Sequence, residues 1–493
     1  MSTPQTIGEL FATSAVRHAH REAMVYRETR WTYGDLADRV IRGQKVLKAL
    51  AGGVPKRIAV IGANHPAYVV GYFAAQTLGA STVEIGRDES IGAILQAVAA
   101  TDAEIILTDR EDLLPAARVI PAVSFDDFLS ACDAVAPPAT SLNAVGEAED
   151  IASIVYTSGT TGSPKGVMLS HRNILFVVLA VCDYLELTAA DRYALVLPIA
   201  HTYGKSNLLS VIGAGATVVF VQDPHNPEEF YGRIAREECT VLSVVPFHLN
   251  ILARRGLPPG VDLSALRAVT SSGGPLPDTA VRGVKTLLPH AKLFAMYGLT
   301  ESSTRATYLP PEWLTAKRGS VGRPLPGMRI EIRQDDGAVM RAGDVGHVFV
   351  NGPNVMHGYF GDAELTANTL VNGWLRTGDV GYLDADNCLY LTGREKEIIK
   401  VAGERISPVE IEEVLALHPA VAEAAVVGVP DPLLGETVCA YVILNPGVHD
   451  IADIAAFCAA RLSSHKVPRR FVEVERIPRT PTGKIRRHLL VSV

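Results

Sequence analysis

Apolar and polar positions follow two rhythms along the first three hundred residues. Leu36, Val40, Gly43, Leu47 and Leu50 recur at helical intervals, which predicts an amphipathic helix. Ile58-Ala-Val-Ile-Gly62 is an unbroken apolar run and reads as a buried strand, with a helix over 65–80 after it. Residues 104–108, 194–198, 217–221, 241–245 and 293–296 continue the strand series, and helical patterns at 227–239 and 278–288 lie between them. This alternation predicts α/β layers on mostly parallel sheets, with ligands at the carboxyl ends of strands.

The texture changes near residue 320. Short apolar runs separated by Gly, Asp and Asn predict a small antiparallel or barrel-like part over about 320–394. A helix at 408–417, strands at 424–429 and 438–444, and a helix at 450–462 then form a compact α+β unit. The expected division is a large N-terminal domain, 1–394, and a small C-terminal domain, 395–493. A chain of 493 residues exceeds one comfortable core, which agrees with two units.

Composition narrows the class. With 48% hydrophobic and 20% charged residues the chain reads as an ordinary globular protein, and a formal charge of −7 argues against nucleic acid or anionic membrane as main partner. The uncharged run 58–83 carries Asn64, His65, Pro66 and Gln76, so it reads as strand, turn and buried helix rather than a membrane span. No basic-then-apolar leader precedes it. Six cysteines show no C-x-x-C spacing, which fits reduced thiols in the core of a cytoplasmic protein.

The densest chemistry lies in Tyr156-Thr-Ser-Gly-Thr-Thr-Gly-Ser-Pro-Lys-Gly166. Such a run buries little and costs much backbone entropy, but it suits a loop that wraps polyphosphate through N–H groups, hydroxyls and one lysine. A polar surface linker is the alternative, and the strand pattern feeding directly into the run argues against it. The G-x-x-x-x-G-K-[ST] loop does not fit, because Pro164 stands where its second glycine belongs and Gly166 follows Lys165. Tyr297-Gly-Leu-Thr-Glu301 also follows a predicted strand. It offers an aromatic face for a base, Thr300 for phosphate and Glu301 for Mg²⁺, or else a plain turn. Ser271-Ser-Gly-Gly-Pro275 allows close backbone approach to a flat base, although a turn accounts for it equally well. Asp379, in Trp374-Leu-Arg-Thr-Gly-Asp379, suits two ribose hydroxyls, and Arg394 the same sugar or a phosphate; singly, each also reads as a surface residue. Pro478-Arg-Thr-Pro-Thr-Gly-Lys484 presents a lysine after a rigid turn, the design for placing one cation in a cleft, or a basic tail.

Taken in order, these segments, with Pro198–Gly204 and Gly393–Gly403, resemble the adenylate-forming superfamily from end to end, closest to its AMP-forming acyl-CoA synthetases. That resemblance implies a large α/β domain with a barrel-like part and a small mobile C-terminal domain. It implies that Thr157, Ser158, Gly159, Thr160, Thr161, Gly162 and Lys165 close over the β- and γ-phosphates. Gly273, Gly274, Pro275 and Tyr297 are implied to hold adenine, Asp379 and Arg394 ribose, and Glu301 Mg²⁺, with Thr300 beside the phosphates. Lys484 is the implied lysine between substrate carboxylate and α-phosphate, Lys396 the hinge, and Lys400, Gly403 and Glu404 the thiol-transfer loop. His201 matches the gate beside the carboxylate.

The resemblance implies ATP, Mg²⁺ and coenzyme A as reactants, with a small carboxylic acid as substrate and a monomer or homodimer as assembly. A carrier-protein phosphopantetheine is the alternative thiol, with an acyl or β-amino acyl group as its load. A catalytically inactive nucleotide-binding protein is a third reading, disfavoured because Lys165, Glu301, Asp379 and Lys484 are all present. Thr202 stands where amino-acid-activating relatives place Asp, so an unpaired α-ammonium is disfavoured. Tyr203, Lys205, Phe247 and His248 are pocket candidates, Lys205 either for a second carboxylate or keto group or as a lysine reaching solvent. Val83-Glu-Ile-Gly-Arg-Asp88 departs from the proline-rich turn of relatives and reads as a rim feature away from catalytic positions.

Overall fold

The computed structural model describes residues 3–116, 120–136, 142–157, 164–222, 226–402, 404–447, 450–479 and 485–490. The predicted helix around Leu36 to Leu50 is Tyr33–Ala51. Thr32 and Asp35 close its N-terminus as a reciprocal capping box, and Gly52, at φ 69°, ends it. Leu36, Val40, Gly43 and Leu47 are its buried stripe. The uncharged run 58–83 is strand, buried helix and strand, with Pro66–Thr77 buried along its whole length. No described helix is long and apolar enough to cross a membrane.

Two large sheets stack through these helices. One has seven strands among the described residues, with Ser81–Glu84 hydrogen-bonded between Arg57–Ile61 and Ile151–Thr157. The other has fourteen and is built on a parallel set, where Lys292–Tyr297, Ala268–Ser271, Val241–Val244, Arg192–Leu195 and Thr217–Phe220 lie side by side. The predicted strand over 194–198 begins and ends earlier, at Arg192–Leu195, because Pro198 has no N–H to continue the ladder.

The antiparallel texture after residue 320 is also as expected. Ser320–Pro324, Leu389–Arg394, Trp374–Leu383, Gly346–Asn351 and Arg329–Arg333 pair antiparallel in that order and continue the large sheet beyond Thr307–Leu309. After Arg394 a five-stranded sheet begins at Ile399–Val401, with Pro408–Ala416 and Ile451–Ala459 packed on it over an apolar cluster of its own. A large sheet domain and a smaller C-terminal one thus divide the chain.

Candidate active site

Two paired strands flank the predicted phosphate loop. Ile151–Thr157 pairs antiparallel with Lys165–Ser170, and Thr157 lies opposite Lys165. Ser158, Gly159, Thr160, Thr161 and Gly162 lie outside the described residues. The ammonium of Lys165 stands 5.6 Å from the centre of the Tyr359 ring. That phenol donates to Glu301 Oε1 at 2.9 Å. Burial, and then the Glu301 carboxylate, push the phenol's pKa well above the ordinary tyrosine range, so it remains a donor. One tyrosine therefore links the lysine of the loop to the acid beyond the strand Lys292–Tyr297.

The end of that strand supplies the second linkage. Tyr297 donates to Asp379 Oδ2 at 2.6 Å, and Arg394 Nε donates to Oδ1 at 2.9 Å. Register explains the second contact, since Asp379 and Arg394 are direct partners on adjacent antiparallel strands. Asp379 is buried, whereas Arg394 is two-fifths exposed. An ionised carboxylate has about four lone-pair positions, so two bound donors leave room for two more, the number a ribose diol supplies. Burial, then the neighbouring Asp379, raise the Tyr297 phenol well above its ordinary value.

Gly273, at φ 95°, and the exposed Gly274 and Pro275 follow the adjacent strand Ala268–Ser271. Their backbone is thus presented beside the end of the strand carrying Tyr297. Thr300 opens a short 3₁₀ turn that contains Glu301.

The segment 198–205 turns tightly into a helix. His201 caps the helix Thr202–Ala214, and Gly204 packs so tightly that an added Cβ would lie 2.2 Å from the carbonyl oxygen of Pro198. Thr202 is buried and Tyr203 partly so.

Three expectations need correction. Lys205 neither faces a substrate as a free cation nor reaches solvent. It is buried, ion-paired with Glu84 and hydrogen-bonded to Ser153 Oγ at 3.0 Å. Glu84 closes the strand Ser81–Glu84, so Val83, Glu84 and Ile85 belong to the interior, whereas Arg87 and Asp88 are exposed and Gly86 lies against His201. His248 stacks on Phe230, centroids 6.0 Å apart and planes within 5°, and so serves packing under the helix Pro227–Arg236. Phe247 instead meets the guanidinium of Arg479, from the C-terminal unit, at 5.6 Å.

Lys396, Lys400 and Glu404 are exposed, Lys396 just after Arg394 and the other two around the strand pair Ile399–Val401 and Glu404–Ile406. Gly403 and Lys484 lie outside the described residues. Sequence reading missed Tyr359, which gave no signal within Gly358-Tyr359-Phe360, and Arg305. The latter had one, a lone charge in the uncharged run Ser302-Ser-Thr-Arg-Ala-Thr307.

Among the described residues no cluster of three metal-ligating side chains occurs. One carboxylate, Glu301, beside a phosphate loop fits Mg²⁺, which keeps several waters and takes its other ligands from substrate phosphates.

Comparison with known proteins identifies the family. The AMP-binding enzyme family matches residues 11–360, and the AMP-binding enzyme C-terminal domain matches 410–484. The 2-succinylbenzoate–CoA ligase of Bacillus licheniformis is 34% identical over 434 residues, 88% of each chain. The indoleacetate–CoA ligase of Aromatoleum aromaticum is 37% identical over 336 residues, 68% of this chain and 65% of that one. The structure of o-succinylbenzoate CoA synthetase from Bacillus subtilis with its acyl-adenylate intermediate superposes with a TM-score of 0.88 at 30% identity, covering 98% of this chain and 97% of that one. The same enzyme with ATP and a magnesium ion gives 0.86 at 30% identity, covering 98% of each chain. The fold is that of adenylate-forming enzymes, and the chain belongs to the AMP-binding enzyme family.

Proposed function

We propose that the chain is an AMP-forming acid:CoA ligase, which activates a carboxylic acid as its acyl-adenylate with release of pyrophosphate and then transfers the acyl group to the thiol of coenzyme A. The carrying observation is the convergence at one set of strand ends of two linkages, Lys165–Tyr359–Glu301 and Tyr297–Asp379–Arg394.

In the first half-reaction an oxygen of the acid attacks the α-phosphorus, and the bond to the β-phosphate breaks. Asp379 holds the ribose with its remaining lone pairs, and Tyr297 with Gly273–Pro275 frames the base. Residues 157–165 wrap the leaving phosphates. Lys484 neutralises charge gathering on the α-phosphate oxygens, an electrostatic role that needs no covalent intermediate on the enzyme. Glu301 would hold Mg²⁺, which when bound would supply further charge neutralisation to the phosphates. His201 stands beside the acid's carboxylate.

In the second half-reaction the thiol sulfur attacks the acyl carbonyl, and AMP leaves. Rotation of residues 395–493 about Lys396 exchanges Lys484 for the segment Lys400–Glu404. CoA is the acceptor supported by the named relatives, and a carrier-protein thiol is the alternative.

The test is ATP–pyrophosphate exchange across fatty, aromatic, dicarboxylic and amino acids, followed by CoA addition to the positives. Thr202 places free α-amino acids among the poor members, because a buried ammonium without a carboxylate costs several kcal/mol, or on the order of a thousandfold in rate. Exchange with no acid in the panel would overturn the reading.

A further inference from the structure

Arg305 is fully buried, with 0% of its surface exposed. No carboxylate pairs with it among the described residues. Its guanidinium lies over the Tyr203 ring at 4.2 Å from the centroid. Three of its five N–H donors are engaged, all by neutral oxygens at long range. These are Tyr184 Oη at 3.3 Å, Thr304 Oγ1 at 3.4 Å and Asn207 Oδ1 at 3.2 Å. A buried guanidinium without a counter-charge is costly.

The surroundings hold further polar groups without partners. Asn207 uses its oxygen on Arg305, which leaves its Nδ2 as a buried amide donor without a partner among the described residues. The hydroxyl of Ser206, on the same turn of helix, is likewise buried and unpartnered there. The guanidinium and the Asn207 amide both lack an acceptor, whose best form is an anion, and the Ser206 hydroxyl is able to donate as well.

The backbone holds Arg305 in place. Ser303 and Thr304 sit at φ 49° and 77°, the latter strained for a β-branched residue. Asn354 Nδ2 clamps the carbonyls of Ser302 and Arg305 at 2.9 and 2.7 Å. Arg305 follows Glu301 by four residues, and its stacking partner Tyr203 follows His201 by two. Along the chain the donor cluster thus adjoins both segments proposed to handle the reacting carboxylate.

Resting on the acid-activating reading above, we propose that Arg305, with Asn207 and Ser206, is the specificity site for the far end of the acid, and that the substrate is a dicarboxylic acid whose second carboxylate pairs with the guanidinium. The remaining donors of the planar fork suit a carboxylate.

The experiment compares matched acids that differ only in a terminal carboxylate or methyl group, over a range of spacers. ATP–pyrophosphate exchange is measured in wild type, Arg305→Leu, Arg305→Lys and Asn207→Ala. The best diacid should exceed its methyl partner in kcat/KM by on the order of 10²-fold or more. Arg305→Leu should abolish or invert that ratio, and Arg305→Lys should restore part of it. Asn207→Ala keeps the guanidinium and should lower the ratio about tenfold, a reading that survives if Arg305→Leu does not fold. Preference of the wild type for methyl partners, or equal losses on both members in the variants, overturns the proposal. If no acid supports exchange, the acid-activating reading fails separately. Calorimetric titration of the diacids then decides the site, with binding abolished by Arg305→Leu in its favour and no diacid binding to wild type against it.

Discussion

Tyr297 donates a 2.6 Å hydrogen bond to Asp379, joining side chains 82 positions apart in the chain. Removing that donor leaves a buried carboxylate with Arg394 as its remaining side-chain donor. Tyr297→Phe forfeits a charge-assisted hydrogen bond, worth about 1.5–3 kcal/mol. The expected outcome is a rise of roughly 10–100-fold in KM for ATP in pyrophosphate exchange, with a smaller change in KM for the acid. An unchanged KM for ATP in a folded variant would separate Asp379 from nucleotide binding.

The buried pair Lys205–Glu84 makes a second prediction. Burial pulls the Lys205 amine below its ordinary pKa, against the opposing pull of Glu84. Glu84→Val alone strands that amine and should destabilise the protein by about 3–5 kcal/mol. Glu84→Val with Lys205→Met should regain most of the loss and leave the preference among acids unchanged, since Lys205 is committed to the interior. Melting curves and the acid panel check both halves, and a changed preference in the double variant would return Lys205 to the substrate pocket.

Stability should fall in mild acid through His171. Its Nδ1 accepts from the Ile7 N–H at 3.2 Å, and burial lowers its pKa from 6.5 to about 4. The unfolded chain therefore takes up this proton first as pH drops. The contribution is complete above pH 6.5, declines between 6.5 and about 4, and changes no further below that. Its size is about 3 kcal/mol. Thermal melts should show the wild type losing stability relative to His171→Gln across that window, and parallel melting curves would contradict it.

The α/β layering was legible because periodicity reports burial directly. Strands such as Arg57–Ile61 and helices such as Tyr33–Ala51 fell where their apolar spacing put them. The strand-end motifs were legible as well, since Tyr297 and Asp379 carry chemistry their local structure does not need. Long-range pairing was not. Nothing within residues 81–88 announces that Glu84 meets Lys205, 121 positions later. Buried polar partners are chosen by tertiary packing, so the sequence around Lys205 suggests a ligand or a lysine reaching solvent, and that around Arg305 gives only a lone charge.

The proposed rotation of the C-terminal domain predicts separable half-reactions. Lys484→Ala should reduce adenylation by on the order of 10²–10³-fold while largely sparing thioester formation from supplied acyl-adenylate. Lys396→Pro fixes φ at the hinge and should do the converse. Equal losses in both assays for both variants would favour a single fixed arrangement.

The most direct measurement follows the fate of ATP. With Mg²⁺, CoA and an acid positive in exchange, AMP, pyrophosphate, ADP, orthophosphate and thioester are quantified in one reaction. The account predicts equimolar AMP, pyrophosphate and acyl-CoA, with no ADP and no turnover when the acid is omitted. ADP with orthophosphate as the products of turnover would contradict it.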